Sequence, residues 1–412
     1  MKFSEWKVVK LEDVCYFGND KIETKMISLE DYISTENMLP NKGGISIASS
    51  LPSTKAVRKY EKNDVLISNI RPYFKKIWFA RKIGGASNDV LILKGRNKKI
   101  LDNKFMYYYL SQDGFFSYVT ATAKGTKMPR GDKTAIMNYK INLPTIQEQE
   151  NIVRILTSLD EKIEINNEIN KKLEEMAQAI FKHWFVDFEF PNENGEPYKS
   201  SGGEMVESEL GMIPKGWKVT ILDNIVNIST KSINPQNYAE RVFEHYSIPA
   251  LDNNKTPEIQ MGKEIKSNKY LIDDNVILIS KLNPNTKRIW KPIPQYKFAI
   301  CSTEFIVYVP KENNIFYYVY EFINSDYFSE MLVSHATGST GSRQRVKPKD
   351  TLNFKIYLPP VELMVKFSKA VKPMHDSISL KNLEIQKLVL TRDTLLPKLM
   401  SGEIRVPVEE EK

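Results

Sequence analysis

Four short stretches of this 412-residue chain concentrate the side chains best suited to holding a polyanion. Two lie in the first half. Asn69-Ile70-Arg71-Pro72-Tyr73-Phe74-Lys75-Lys76 offers Arg71, Lys75 and Lys76, and 124–133 offers Lys124, Thr126, Lys127 and Arg130 around Gly125 and Gly131. Two lie at matching places in the second half. Lys281, Asn283, Lys287 and Arg288 fall within 281–288, and Ser339, Arg343, Gln344, Arg345 and Lys347 within 337–347. Small residues let backbone N–H groups approach phosphate oxygens, while Arg, Lys, Asn and Gln can contact both phosphates and base edges. The bland alternative is four exposed polar loops.

Catalytic groupings are hard to find. No Asn-Pro-Pro-Tyr or Asp-Pro-Pro-Tyr loop occurs, no glycine-rich cofactor turn, and no Gly-x-x-x-x-Gly-Lys. His183, His245, His335 and His375 show no metal-ligand spacing. Glu258 with Glu264-Ile265-Lys266 faintly resembles a nuclease cluster, but the first half has no counterpart and such matches arise by chance in a chain rich in Glu and Lys. Cys15 and Cys301 form no Cys-x-x-Cys, so a reducing cytoplasm is the expected setting. Neither a signal peptide nor an apolar run of about 20 residues is visible, so no membrane role is expected.

The elements that must carry these loops come in duplicate. Trp6-Lys7-Val8 returns as Trp217-Lys218-Val219, and Val65-Leu66-Ile67-Ser68 with Pro72 and Trp78 returns as Ile277-Leu278-Ile279-Ser280 with Pro284 and Trp290. Asn138-x-Lys140-Ile141-x-Leu143-Pro144 returns as Asn353-x-Lys355-Ile356-x-Leu358-Pro359. The offset drifts only from 211 to 215, as in a duplicated module with small loop insertions. Each copy reads as α+β. The runs 64–68 and 275–280, then 90–93 and 305–309, are buried strands, while 106–110 and 316–323 begin short helices. A shared scaffold with different loops fits two readers of different sequences.

Between and after the modules the pattern is helical. Thr145 with Glu148 makes a capping box. Ile152, Leu156, Leu159, Ile163, Asn166, Asn170, Leu173, Ala177, Ile180 and Trp184 then alternate by four and three, a heptad seam spanning about 48 Å. Shifted by 215, the seam falls on Phe367, Val371, Met374, Ile378, Lys381, Ile385, Leu388, Arg392, Leu395 and Leu399, most of them large and apolar. Two matched helices in one chain most simply pair antiparallel, placing the modules at opposite ends of a rod. The alternative is that each merely packs on its own domain. Pro373 is expected to kink or interrupt the first turns of the second helix, and Ser401-Gly402 to stop it. Residues 191–215, rich in Gly and Pro, read as a linker.

Charge follows this division. Residues 1–144 carry net +11, 145–190 net −5, 191–215 net −3, 216–359 net +4 and 360–412 net +1, for +8 overall. Basic modules invite a polyanion that an acidic strut would repel.

Four motifs carry a resemblance. They are Leu143-Pro144 running into Gln147-Glu148-Gln149, and Phe181-x-x-Trp184-Phe185 at the end of the first long helix. The others are Leu210-Gly211-Met212-Ile213-Pro214-x-Gly216-Trp217 and the terminal Leu395-Leu396-Pro397-Lys398-Leu399-Met400-Ser401-Gly402-Glu403-Ile404. Over essentially its whole length the chain resembles the specificity subunit of type I restriction–modification systems. It departs at Leu358-Pro359-Pro360-Val361-Glu362-Leu363, which lacks the glutamine of the first copy, and at Pro373.

The resemblance implies two α/β target-recognition domains, 1–144 and 216–359. They are separated by two long helices, 145–190 and 360–412, that form an antiparallel coiled coil. Each domain would read one half of a bipartite site in double-stranded DNA. The helices would set the spacer and dock two modification subunits, with restriction subunits added in the full complex. The chain itself would be non-catalytic and hold no cofactor, with S-adenosylmethionine, ATP and Mg on the partner subunits. Its exposed heptad face could self-associate when the partner is absent. A coiled-coil scaffold that binds DNA without reading bases, and a self-contained DNA enzyme, are the other classes.

Overall fold

The computed structural model describes residues 5–252, 255–338 and 344–407. Ser339 and Arg343 lie outside the described residues. Two compact units form, residues 1–164 with 387–412, and residues 165–386, so each long helix contributes to both.

In the first unit, strand Lys7–Lys10 pairs antiparallel with Lys140–Leu143, tying the start of the module to its end. A four-stranded antiparallel sheet runs in the order Cys15–Phe17, Val90–Gly95, Val65–Ser68, Ile77–Phe79. Both central strands are wholly or almost wholly buried, which is why they read as continuous apolar runs rather than as an alternation. A second four-stranded sheet runs Lys21–Glu23, Ala56–Tyr60, Gly84–Ala86, Tyr32–Ile33.

The second unit repeats this plan. Lys218–Ile221 pairs with Lys355–Leu358, and a four-stranded sheet runs Val226–Ile228, Phe305–Pro310, Ile277–Ser280, Ile289–Trp290. Register is kept: Val65 faces Leu93, and Ile277 faces Tyr308. The second sheet has a fifth strand, Glu258–Met261, at its edge. The short helices begin near the aromatic runs. Asn103–Leu110 starts earlier than those side chains suggest, because the Asp102 carboxylate accepts the Lys104 and Phe105 N–H groups. Phe316–Ile323 starts at its aromatic run.

The first long helix is Ile146–Phe185. The Thr145 N–H donates to Glu148 at 3.1 Å and the Glu148 N–H to the Thr145 hydroxyl at 3.4 Å, closing the capping box. Gln149, fully buried, stitches the helix start to the module. Its Oε1 accepts the Asp102 N–H and its Nε2 donates to the carbonyls of Ile100 and Pro144.

The second long helix is Val361–Ser401, starting straight after Pro360 and ending before Gly402, whose φ of +78° breaks it. It passes through Pro373 unbroken, so the interruption that the sequence allowed there does not occur. The proline ring removes the donor for the Lys369 carbonyl, but that turn is exposed and water can take its place.

The two helices run antiparallel in each unit. In the first unit Arg392 Nη1 donates to the Asp160 carboxylate at 3.0 Å. In the second, Asn166 donates to Glu384 at 2.9 Å, Asn170 donates to Asn382 at 2.8 Å, and Phe181 packs on Phe367. Among the seam residues Ile152, Leu156, Ile378 and Ile385 are buried, while Leu159, Ile163, Leu173, Ile180, Met374, Leu388 and Leu395 are half-buried. The helix ends also serve the modules. Ile152, Leu156, Leu396, Leu399 and Met400 belong to the first core, and Ala177, Phe181, Phe185, Phe367 and Val371 to the second. Pairing and domain packing, posed as alternatives by the sequence, are both realised.

Residues 191–215 hold structure of their own. Met205–Ser208 and Gly211–Pro214 form a β-hairpin, Ile213 enters the second core, and Phe190 stacks on Tyr198 and Trp217.

Candidate nucleic-acid interface

In each module the two basic loops, far apart in sequence, are joined by backbone hydrogen bonds. In the first, the Arg71 N–H donates to the Pro129 carbonyl at 2.8 Å and the Gly131 N–H to the Asn69 carbonyl at 3.0 Å. In the second, the Asn283 N–H donates to the Gln344 carbonyl at 2.9 Å and the Val346 N–H to the Lys281 carbonyl at 3.0 Å. Arg71 and Asn283, 212 residues apart, share a left-handed backbone at φ 49° and 50°. Side chains seldom adopt this conformation, and strain of this kind collects at functional loops. Gly131 allows the close approach in the first module, since a Cβ there would sit 2.9 Å from both Asn69 Oδ1 and Val119 Cγ1.

The candidate residues divide by what holds them. Lys75, with Lys42, is paired to Asp113 at 3.0 and 3.1 Å. Burial pushes the Asp113 carboxyl up, but these two ammonium groups outweigh it and hold the group below its ordinary range. Lys76 is half-buried and donates to the Thr35 carbonyl at 2.6 Å, and burial lowers its pKa. Lys124 pairs with Asp132 and Arg130 with Asp89. In the second module Lys287 reaches Asp326 at 3.6 Å, Arg288 grips Asp252 at 2.7 and 2.9 Å, and Arg345 grips Glu304 at 3.1 and 3.3 Å. The Gln344 side chain accepts from Asn285 at 3.2 Å. Thr126, Lys127 and Lys347 are exposed. Among the described residues Lys127, Lys281 and Lys347 have no carboxylate partner.

The loops therefore supply both lysines without a carboxylate partner among the described residues, suited to phosphate, and arginines held at one edge, suited to directional contact. Sequence reasoning found the basic residues and missed Asp89, Asp113, Asp252 and Glu304, because an acid beside a basic loop looks like an ordinary surface charge.

The remaining polar groups have local duties. His375 and Glu321 form a buried pair at 2.6 Å in which Gln178 joins, and His245 bonds Gln260 through Nδ1. The Glu264 carboxylate accepts the Met261 N–H, while Glu258 faces His245 across the edge strand. Among the described residues no group of three or more His, Cys, Asp or Glu could hold a metal, and no helix is long and apolar enough to cross a membrane. Cys15 and Cys301 are buried and unpaired, and burial pushes the Cys15 thiol up to about 12.

Comparison with known proteins agrees with this architecture. Residues 3–175 match the family described as type I restriction modification DNA specificity domain. The chain is 24% identical to the type I restriction enzyme MjaIX specificity subunit of Methanocaldococcus jannaschii, over 98% of this chain and 94% of that one. It is 24% identical to the HindI specificity subunit of Haemophilus influenzae, over 97% of this chain and 100% of that one. A crystal structure of the type I restriction–modification S subunit from M. genitalium shares the fold, with TM-score 0.54 at 17% identity over 97% and 96% of the two chains. The first module and the start of the first long helix thus match a DNA specificity domain, and the whole chain is similar, from end to end, to specificity subunits of type I restriction enzymes.

Proposed function

We propose that this chain is the DNA-reading subunit of a type I restriction–modification complex, each module reading one half of a bipartite target. The observation that carries this is the loop junction built twice on one backbone plan, with Arg130 and Arg345 at matching places and different side chains around them: Arg71 and Lys127 in one module, Asn283 and Gln344 in the other. A common scaffold with exchanged donors suits two half-sites of different sequence. Lysines of the loops hold phosphates and make affinity salt-dependent. Arg130, Arg343, Gln344, Arg345 and Asn283 are the candidates for base edges, each good bidentate contact discriminating by about 1–3 kcal/mol, while the exposed Lys127 is left for phosphate.

The paired helices set the spacer and dock two modification subunits, and restriction subunits complete the assembly. The chain does no chemistry itself. S-adenosylmethionine, ATP and Mg act on the partner subunits, in the cytoplasm. Without its partners the exposed helix faces, which include Ile165, Met176, Leu380 and Leu390, favour self-association.

Strand-resolved N6-methyladenine mapping in cells with the modification subunit, with and without this chain, tests the reading. A single bipartite motif with a fixed gap, present only with this chain, is expected. Chain-dependent DNA binding without any motif would favour a scaffold that does not read bases.

A further inference from the structure

An acidic residue sits at the centre of each basic junction. Asp89 and Glu304 are 215 residues apart, each immediately before a central strand, Val90–Gly95 or Phe305–Pro310. Each ties both loops at once. The Asp89 carbonyl accepts the Asn69 N–H at 2.8 Å, and its carboxylate takes Arg130 Nη2 at 3.1 Å. The Glu304 carbonyl accepts the Lys281 N–H at 3.0 Å, and its carboxylate takes Arg345 Nε at 3.1 Å and Nη2 at 3.3 Å. Arg130 and Arg345 are also 215 residues apart. Each bridges the first loop, at Ile70 or Leu282, and the start of the second, at Lys124 or Thr337. Most flanking residues differ between the modules, yet this acid–arginine pair recurs.

A carboxylate is the wrong charge for a surface that only grips phosphate, because it cancels a cation and repels the backbone. It is the right group for fixing an arginine. A carboxylate on one edge of the planar guanidinium leaves the remaining N–H donors aimed outward in a set direction, and it makes capture by a passing phosphate less favourable. Both arginine side chains remain about half exposed, 57% for Arg130 and 51% for Arg345, so those donors are accessible.

We propose that Asp89 and Glu304 are positioning residues for specificity: each clamps its module's two loops and holds Arg130 or Arg345 for base-edge rather than phosphate contact. This rests on the reading of the modules as half-site readers.

The test uses the complex with its modification subunits, carrying wild-type chain, Asp89→Asn or Glu304→Gln. Both substitutions keep the backbone tie and remove the charge. Binding to the mapped target is compared with duplexes substituted at single positions of one half-site, and with an unrelated duplex, over a range of salt. Asp89→Asn should lower discrimination about tenfold at one or two positions of one half-site, leave the other half-site unchanged, and tighten binding to the unrelated duplex. Glu304→Gln should do the same to the opposite half-site. Asp89→Glu and Glu304→Asp, which keep the carboxylate, should retain most of the discrimination.

Equal loss at both half-sites with a lowered melting temperature would show a purely structural tie and overturn the proposal. Unchanged discrimination in both variants, in a complex whose wild type reads a bipartite motif, would overturn it alone. A wild-type complex that reads no motif would overturn it together with the reading beneath it.

Discussion

Lys127 stands exposed at the tip of the second loop with no carboxylate partner among the described residues, so its ammonium is available to a phosphate. Lys127→Ala should weaken binding to target and unrelated duplex alike. It should also reduce the slope of log affinity against log salt by about 0.9, as measured by titration at several ionic strengths. A loss confined to the target would instead make Lys127 a base reader. His245 has a different role. Burial lowers its pKa below the ordinary 6.5, and its Nε2 is buried with no partner among the described residues. The unfolded chain therefore takes up a proton that the folded one resists, so this contribution to stability is present above pH 6.5 and is lost as pH falls below it. Melting temperature should drop between pH 7 and 5 more steeply for wild type than for His245→Asn. Parallel curves would show that His245 does not titrate differently on folding.

The long helices owe their pairing to more than apolar seams. Asn166, bonded to the Glu384 carboxylate, and Asn170, bonded to the Asn382 amide, are buried in the seam, where unmatched polar groups are costly and so select one register. Replacing Asn170 and Asn382 together with leucine should raise the melting temperature while loosening the register, visible as a broadened spacer preference in methylation maps. A sharper or unchanged preference would remove these amides from register selection. At Pro373 the second helix continues over an exposed turn that lacks one donor. Pro373→Ala restores that donor and should stabilise the fold by about 1–3 kcal/mol in denaturant unfolding.

At the scale of the assembled protein, the proposed spacing role of the helix pair predicts a change of gap with helix length. Deleting one heptad beside Asn166 and the matching heptad beside Asn382 keeps the seam in phase, since seven residues close two turns. Methylation mapping of this variant should return both original half-sites with a changed gap. An unchanged gap would separate the helices from spacing. The same chain should give a broad, concentration-dependent size distribution when purified alone and a single species with its modification subunits, because off-seam residues such as Leu380 and Leu390 are exposed.

Much of this was legible in the amino-acid order because it rests on local physics. Buried strands such as Val65–Ser68 and Ile277–Ser280 announce themselves as short β-branched runs, the capping box needs only Thr145 and Glu148, and a heptad seam repeats wherever two helices meet. The duplication itself needs no structure at all. Other features were decided only by tertiary structure. The hairpin within 191–215 is held by Ile213 and by Phe190 against Tyr198 and Trp217, where the glycines and prolines alone suggested a linker and no more. The helix passes through Pro373 because packing of Val371, Met374 and Ile378 outweighs one missing hydrogen bond. Asp89 and Glu304 carry no local mark, since their meaning comes from an arginine about forty residues away that chain folding brings to 3.1 Å. Contacts between distant residues depend on how the chain closes, and short-range pattern is blind to that closure.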